Sequence, residues 1–313
     1  MSSRVGTASA VVFAYHDVGV RCLSVLLAYG VHISLVVTHE DDPSEKIWFG
    51  SVKKLAELNG IPVITPVDPN TPEVTQQVAA LKPDFLFSFY YRFMLGDALL
   101  DAPRRGALNM HGSLLPKFRG RVPVNWAIIH GERRTGASLH YMEKKPDAGD
   151  LVDQQAVPIL TDDTASEVFA KVTVAAEQVL DRSLPALVLG TASRQPLDLK
   201  AGSYYGRRCA EDGRIDWSKP AWSVHNLVRA VAPPYPGAFS TAGGKSLKVL
   251  RSHYPDEAAK NPKPTLYMES TGRCYADCGD GKRIEILALE LDGRILEPSQ
   301  FAQHLNRPLS LGD

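Results

Sequence analysis

Three side chains in the first half of the chain have the types needed to transfer an acyl group to an amine. Asn109 and His111 lie two positions apart in the stretch 109–116, Asn-Met-His-Gly-Ser-Leu-Leu-Pro, and Asp147 opens an Asp-Ala-Gly turn further along. An amide N–H and a protonated imidazole can stabilise the oxyanion of a tetrahedral intermediate. A neighbouring carboxylate orients the imidazole and favours its charged form. This chemistry requires neither a metal nor a bound nucleotide.

Short apolar runs alternate with longer stretches of helical period before and around these residues. The pattern predicts βαβ units and a mostly parallel, Rossmann-like sheet. Ligands of open α/β sheets bind beyond the carboxyl ends of the strands, which is where Asn109 and His111 fall. The strands predicted here are 10–14, 33–38, 62–64, 85–89 and 107–109.

The segments that follow carry the carboxylate and complete this half of the chain. We predict a helix over 123–130, and strands over 136–142 and 151–157 on either side of the Asp147 turn. A capping box, Thr164 with Glu167 three positions later, begins a long helix that runs to about residue 188. The pattern predicts a catalytic domain over 1–190 and a linker over 191–206.

The remaining residues, 207–313, read as a second and smaller domain rich in β-structure. Several short strands separated by Gly, Pro and charged turns are typical of a small barrel or sandwich. One helical stretch is expected near 224–232. The strands predicted here are 213–216, 238–240, 247–250, 273–276 and 284–291.

Composition argues against several classes of function. Lys plus Arg and Asp plus Glu each number 35, so the formal net charge is zero and no nucleic-acid partner is expected. No apolar run reaches the roughly 18 residues of a membrane span, and no signal-peptide pattern is present, so we expect a cytoplasmic protein without membrane insertion. The four cysteines predict reduced thiols, because Cys274 and Cys278 lack a second pair of zinc ligands nearby.

Each residue of the site also has a structural interpretation. A histidine after a strand is more often hydrogen-bonded within the fold than catalytic, and Asn and Asp commonly occupy turns. Ser113, His111 and Asp147 could be mistaken for a hydrolase triad, but the sequence has no Gly-x-Ser-x-Gly elbow. The first predicted strand is not followed by Gly-x-Gly-x-x-Gly, which argues against NAD.

A short basic loop follows the Asn-x-His stretch. Lys117, Arg119 and Arg121 alternate there with Phe118 and Gly120. A solvated surface loop would have this composition. A site for a carboxylate or phosphate beside the reacting centre would have it too, because arginine matches the geometry of both anions. Sequence alone leaves both interpretations open.

Taken together, the 109–116 stretch, the 117–121 loop and the 147–149 turn resemble the 10-formyltetrahydrofolate-dependent formyltransferases. Four further stretches, 12–17, 87–92, 206–208 and 236–240, are most similar to members that formylate UDP-4-amino-4-deoxy-L-arabinose for lipid A modification and polymyxin resistance. The resemblance spans nearly the whole chain. It implies a Rossmann-like catalytic domain followed by an OB-like β-barrel.

The same resemblance implies a role for each residue of the site. Asn109 would stabilise the oxyanion, His111 would donate a proton, and Asp147 would keep His111 charged. The residues implied for the cosubstrate 10-formyltetrahydrofolate are Phe93, Met94, Leu95, Arg121, Glu143, Lys144, Lys145, Pro146 and Asp147. Those implied for the UDP-aminosugar are Ser113, Arg207, Arg208 and Tyr235.

Bifunctional relatives continue into an NAD-dependent enzyme that this sequence does not contain, so we expect no use of NAD and no metal. A methionyl-tRNA formyltransferase is an alternative within the family, but it would need an extended basic surface for tRNA. A different nucleotide aminosugar is a second alternative, and it is left open. A noncatalytic binding module is a third, although a pure binder would not need a proton donor. The sequence does not predict the oligomeric state.

Overall fold

The computed structural model describes residues 8–43, 45 and 47–312 of the 313-residue chain. The strands are β1 Ser9–Ala14, β2 His32–Val37, β3 Val63–Ile64, β4 Phe85–Phe89, β5 Gly106–His111, β6 Arg119–Gly120, β7 Arg134–Tyr141, β8 Leu151–Pro158, β9 Tyr204–Tyr205, β10 Ala238–Ala242, β11 Lys245–Ala258, β12 Thr265–Met268, β13 Cys274–Asp277, β14 Lys282–Leu291, β15 Arg294–Leu296 and β16 Leu309–Ser310. The α-helices are α1 His16–Ala28, α2 Val52–Leu58, α3 Pro72–Ala80, α4 Asp97–Leu100, α5 Pro123–Ile129, α6 Ala165–Leu189, α7 Ala221–Ala230 and α8 Pro298–His304.

A seven-stranded sheet organises the first half of the chain. Its order is β3-β2-β1-β4-β5-β7-β8, and the pairs from β3 through β5 are parallel. Strand β7 then pairs antiparallel with β5. The predicted Rossmann-like, mostly parallel sheet is therefore confirmed.

The parallel strands are apolar because helices cover both faces of such a sheet. All five residues of β4 are buried, and so are five of the six in β1. The chain reverses its direction of winding at β1, which has β2 on one side and β4 on the other. The carboxyl ends of β1 and β4 therefore flank the crevice in which such sheets bind ligands, and β5 ends beside them.

The second half of the chain forms an antiparallel half-barrel. Its sheet has the order β10-β11-β14-β13-β12-β16, and β15 also pairs with β14. Helix α7 contributes Ala221, Val224 and Val228 to its apolar core. The predicted small β-rich domain is confirmed.

The chain divides into two compact units. One comprises 1–123, 135–157 and 170–205, and the other comprises 124–134, 158–169 and 206–313. The second unit thus includes two segments that the prediction of a single domain over 1–190 did not anticipate. Contacts between distant segments join them, and sequence spacing does not reveal such contacts.

Two local predictions have clear outcomes. The capping box is confirmed, because Thr164 N donates to Glu167 Oε2 at 2.7 Å and Glu167 N donates to Thr164 Oγ1 at 3.4 Å. The strand predicted over 213–216 is wrong, since only Arg214 makes a bridge. Cys209 N donates to Asp212 Oδ2 at 2.7 Å and turns the chain into a 3₁₀ helix at that point.

Candidate active site

The side chain of Asp147 is the centre of a buried polar cluster. Its Oδ1 lies 3.4 Å from Asn109 Nδ2, 3.5 Å from His111 Nδ1 and 3.4 Å from His140 Nε2. Its Oδ2 accepts a hydrogen bond from the backbone N–H of Gly120 at 2.8 Å. Only 12 % of the carboxylate side chain is exposed. The three residues predicted to be catalytic therefore meet in one place.

Strand register brings the side chains of this cluster together. Asn109 pairs directly with His140 across β5 and β7, and His111 pairs with Ser138. Because side chains alternate between the two faces of a strand, Asn109 and His111 share one face. Asp147 reaches them from the loop after β7, in a left-handed conformation with φ of 49°.

The histidine rings are held in defined orientations. A carbonyl oxygen only accepts hydrogen bonds, so His111 Nε2 donates to the Phe118 carbonyl at 2.8 Å and His111 Nδ1 is left facing Asp147. His140 Nδ1 donates to the Tyr141 carbonyl at 2.7 Å for the same reason. In neutral His140, Nε2 is then an acceptor for Asn109 Nδ2, 3.2 Å away.

The electrostatics of the cluster keep Asp147 ionised. Burial by itself raises the pKa of a carboxyl group, and it is the largest single influence here. The positive charges of the His111 and His140 imidazoles in their protonated forms and the N–H of Gly120 together outweigh it. They hold the pKa of Asp147 far below its usual range, so the cluster contains a permanent negative charge beside two imidazoles.

Hydrogen bonds within the loop after β5 fix its shape. The hydroxyl of Ser113 donates to the Lys117 carbonyl at 2.6 Å, and Ser113 is fully buried. The hydroxyl of Ser138 donates to the Ser113 carbonyl at 2.7 Å and accepts from Leu115 N at 3.1 Å. The Ser113 hydroxyl thus stabilises the loop in this structure, and its assignment to the acceptor sugar stays a prediction.

The end of the predicted linker supports the other side of this loop. Strand β9 pairs with β6, and Phe118 N donates to Ser203 Oγ at 2.9 Å. Arg121 N donates to the Tyr205 carbonyl at 2.9 Å. The segment predicted to be an unpatterned connection therefore positions the backbone groups that bind His111 and Asp147.

Four residues of strained backbone lie within the cluster's loops or just after the carboxyl ends of strands. Non-glycine residues rarely adopt positive φ, yet His16, Tyr90, Phe118 and Asp147 have φ values of 65°, 57°, 55° and 49°. His16 and Tyr90 follow the carboxyl ends of β1 and β4. Such strain is found preferentially where a binding or catalytic geometry must be held.

His140 was missed by the sequence reasoning. The strand that contains His140 was predicted, but that prediction used only the alternating apolar residues on the opposite face of the strand. The available signal was that Ser138 and His140 are two polar residues on the same face of a strand, like Asn109 and His111. Strand pairing, which sequence spacing does not reveal, makes the two sets neighbours.

The residues predicted for the folate cosubstrate differ in their surroundings. Phe93 and Met94 are large apolar side chains with 44 % and 52 % exposure, just beyond β4. Leu95 is instead buried in the core beneath them. Asn70 holds the segment, because its Nδ2 donates to the Met94 carbonyl at 3.0 Å.

The other predicted folate residues lie in two loops. Lys144 forms an exposed ion pair with Asp97, with 3.0 Å between Nζ and Oδ2. Pro146 is half-buried beside Asp147. The exposed members are Arg121, Glu143, Lys144 and Lys145.

The residues predicted to bind the acceptor sugar from the C-terminal unit differ in exposure and packing. Arg207 is exposed, whereas Arg208 is half-buried over the Trp126 ring and donates to the Asp212 carbonyl at 2.8 Å. Tyr235 packs against the core of that unit, and burial raises its pKa. Their contact with a substrate stays a prediction.

Within residues 8–43, 45 and 47–312, no group of three or more His, Cys, Asp and Glu side chains is arranged to hold a metal ion. No helix in the same residues is both long enough and apolar enough to cross a membrane.

Sequence profiles identify both halves of the chain. The profile described as formyl transferase matches residues 22–184, more than half of the chain. The profile described as formyl transferase, C-terminal domain, matches residues 209–306. The chain belongs to the formyl transferase family.

Several solved structures share the fold. An N-formyltransferase from Helicobacter canadensis, in complex with folinic acid and dTDP-3-aminofucose, is 20% identical with a TM-score of 0.72, over 90% of this chain and 99% of that one. WlaRD, a sugar 3N-formyltransferase crystallised with dTDP and 5-N-formyl-THF, is 18% identical with a TM-score of 0.71, over 90% and 97%. HypX from Aquifex aeolicus in complex with tetrahydrofolic acid is 18% identical with a TM-score of 0.64, over 96% of this chain and 48% of that one.

Proposed function

We propose that this formyltransferase transfers the formyl group of 10-formyltetrahydrofolate to the amine of a nucleotide-linked aminosugar, and that the acceptor is UDP-4-amino-4-deoxy-L-arabinose. The observation that carries the proposal is the convergence of Asn109, His111 and His140 on the ionised Asp147. The product would be the corresponding formamido sugar, for use in lipid A modification.

In the proposed reaction, Asn109 and His111 act on the oxygen of the formyl group. When the neutral amine attacks the formyl carbon, a C–N bond forms and the carbonyl oxygen becomes an oxyanion. The Asn109 amide and the His111 imidazolium stabilise that charge in a buried setting, where such interactions are strongest. Asp147, paired with His111, favours the imidazolium without itself taking up a proton.

His111 also balances the protons of the reaction. The attacking amine must lose one proton, and the nitrogen that leaves as tetrahydrofolate must gain one. His111 donates from Nδ1, because its Nε2–H is bound to the Phe118 carbonyl. It then recovers a proton from the new amide nitrogen, so the enzyme returns to its starting state.

For the folate cosubstrate, the supporting observation is the exposed apolar pair Phe93 and Met94 beyond the end of β4. Large apolar side chains next to a catalytic crevice are suited to cover a flat heterocycle. Asn70 fixes the backbone of this segment through Met94 and Gly96. We propose that this segment, with Arg121 and residues 143–147, binds the cosubstrate.

A sugar nucleotide is favoured over tRNA as the acceptor. The zero net charge of the chain argues against the extended basic surface that tRNA phosphates would require. The Helicobacter canadensis and WlaRD structures, which match nearly end to end, are of sugar N-formyltransferases. The stretches 12–17, 87–92, 206–208 and 236–240 favour the UDP-arabinose acceptor over dTDP sugars.

The proposal is tested by measuring formylation with 10-formyltetrahydrofolate and each of three acceptors. They are UDP-4-amino-4-deoxy-L-arabinose, a dTDP-aminosugar and methionyl-tRNA, with tetrahydrofolate release and product mass as readouts. We expect selective turnover of the UDP sugar, and loss of turnover in folded Asn109→Ala and His111→Ala variants. Turnover of only the dTDP sugar would show that the acceptor is a dTDP-aminosugar and not the UDP sugar. Near-normal activity of either variant would refute the assigned roles.

A further inference from the structure

Among the arginines that the structure describes, three are at least nine-tenths buried, and two of these have several polar partners. Arg229, 2 % exposed, donates to the Asn226 amide oxygen and to the carbonyls of Leu160 and Asp163. Arg283, 9 % exposed, pairs with two glutamates and lies over an aromatic ring. A guanidinium removed from water needs such partners, because its desolvation is otherwise strongly unfavourable.

Arg119 is the exception. It is 8 % exposed, and its Nε is buried without a hydrogen-bond partner. Within the part of the chain that the structure describes, its side chain has no hydrogen bond, ion pair or ring contact. The positively charged side chain is therefore largely removed from water, and no partner within the described residues compensates its charge.

The position of Arg119 indicates what would compensate the charge. The carbonyl of the preceding residue, Phe118, accepts from His111, and the N–H of the following residue, Gly120, donates to Asp147. The backbone of Arg119 thus lies within one residue of both contacts. The nearby carboxylate of Asp147 is already committed to His111, His140 and Gly120, and forms no ion pair with Arg119.

We propose that Arg119 binds the diphosphate of the sugar-nucleotide acceptor. The inference rests on the proposed function, which makes the acceptor a nucleoside diphosphate sugar. The planar guanidinium matches two phosphate oxygens in a forked pair of hydrogen bonds. In the acceptor, a single sugar ring separates the diphosphate from the reacting amine. The carboxylates of the folate lie farther from its reacting nitrogen, beyond an aryl ring and an amide.

The test compares Arg119→Gln and Arg119→Lys with the wild-type protein. Arg104→Gln is the matched control, because Arg104 is 64 % exposed and pairs with Asp84 before β5 begins. Dissociation constants for UDP and for 5-formyltetrahydrofolate are measured separately by calorimetry. The melting temperature of each protein is recorded with and without each ligand.

We expect Arg119→Gln to weaken UDP binding by roughly 30-fold or more, as truncation of one partner of a buried charge pair does. Binding of 5-formyltetrahydrofolate should stay within about threefold of wild type, since uncoupled sites respond independently. Without ligand, Arg119→Gln should melt at or above the wild-type temperature, because it removes an uncompensated buried charge. Arg119→Lys should be intermediate, since it keeps the charge but loses the fork.

Three results would overturn the inference. The first is unchanged UDP binding with a lowered melting temperature in Arg119→Gln, which would make Arg119 a structural residue. The second is a loss of folate binding alone, which would assign Arg119 to a folate carboxylate. The third is a wild-type protein that does not bind UDP. If wild type binds UDP through Arg119 yet formylates no nucleotide aminosugar, the proposed function fails, and only the assignment of Arg119 to a nucleoside diphosphate stands.

Discussion

Asp147 lies within 3.5 Å of Asn109, His111 and His140, and its ionisation is the first property to test. Its pKa is depressed in the folded protein, so it stays charged throughout the range in which enzymes are usually assayed. Any loss of activity between about pH 8 and pH 5 must therefore come from another group, such as an imidazole or the acceptor amine.

Replacing Asp147 by Asn keeps the size of the side chain and removes its charge. We expect kcat/KM to fall by roughly 100- to 10,000-fold, because the imidazolium of His111 loses its counter-charge. Steady-state formylation kinetics provide the measurement, and circular dichroism verifies folding. Asp101→Asn, an exposed position, is the control. A variant within threefold of wild type would show that the carboxylate is dispensable.

His140 is a positioning residue by its contacts, since it orients the amide of Asn109. We expect His140→Ala to lower kcat by roughly 10- to 100-fold with a smaller change in KM, because a misplaced catalytic group costs about that much. His140→Gln, which can still accept from Asn109, should recover part of the loss. The exposed His32→Ala is the comparison variant. Equal activity of the Ala and Gln variants at the wild-type level would exclude this role.

At the scale of elements, two pairings hold the site: β5 with β7, and the short β6 with β9. The first sets Asn109 opposite His140, and the second holds Phe118 and Gly120 against the end of the predicted linker. Gly120 is critical to the second pairing. A Cβ at this position would lie 2.2 Å from the Tyr205 carbonyl oxygen, and its φ is 96°.

Gly120→Ala should therefore destabilise the protein and the site together. We expect a loss of about 2 kcal/mol or more in the free energy of unfolding, from backbone strain and overlap. Activity should fall with it, since the N–H of Gly120 binds Asp147. Urea unfolding and kinetics are the measurements. Gly60 has a φ of 67°, and an added Cβ there would meet no atom within 4 Å. Gly60→Ala therefore measures the cost of backbone strain without overlap. Equal destabilisation of both variants would show that the overlap has no effect.

At the scale of the whole molecule, buried polar contacts join distant segments of the second unit. His225 is fully buried, its Nε2 donates to the Thr161 carbonyl at 2.8 Å, and its Nδ1 accepts from Ser252. Burial is the main cause that lowers the pKa of His225 to about 4, although Asp162 and the Thr161 carbonyl favour its charged form. In the first unit, burial likewise lowers the pKa of His39 to about 4.

These histidines make the fold sensitive to mild acid. Their pKa values are lower in the folded than in the unfolded protein, so the unfolded state takes up protons first as the pH falls below about 6.5. Stability should decline from about pH 6.5 to 4, and His225 alone accounts for up to about 3 kcal/mol. His225→Gln should be less stable at pH 7.5 but show a shallower decline. Urea unfolding at several pH values measures both. An equally steep decline in the variant would remove His225 as a cause.

The carboxylates act in a separate range of pH. The Lys260 and Arg283 hydrogen bonds lower the pKa of Glu269 to about 2, and Asp147 is also depressed. Groups of this kind stabilise the folded state above their unfolded pKa, near 4, and lose that contribution only as the pH falls further. Any loss of stability as the pH falls from about 6.5 to about 4.5 is therefore caused by protonation of the histidines and not of the carboxylates.

The sequence by itself determined the periodic elements and the types of the catalytic residues. Buried parallel strands such as 85–89 are continuous apolar runs, and the Thr164 capping box is a local contact, so both can be read from neighbouring residues. The strand predicted at 213–216 failed because Asp212 accepts from the backbone N–H of Cys209 and caps a 3₁₀ helix that extends to Gly213. Local patterns predict structure where local interactions dominate.

Only the tertiary structure decided which groups meet. His140 joined the site through the register of an antiparallel pair, and the Phe118 and Gly120 backbones joined it through pairing with residues 204–205. The missing counter-charge of Arg119 became visible only once burial was known. These facts depend on contacts between residues far apart in the chain. Their physical basis is packing and desolvation, which depend on the whole fold and not on the spacing of residues.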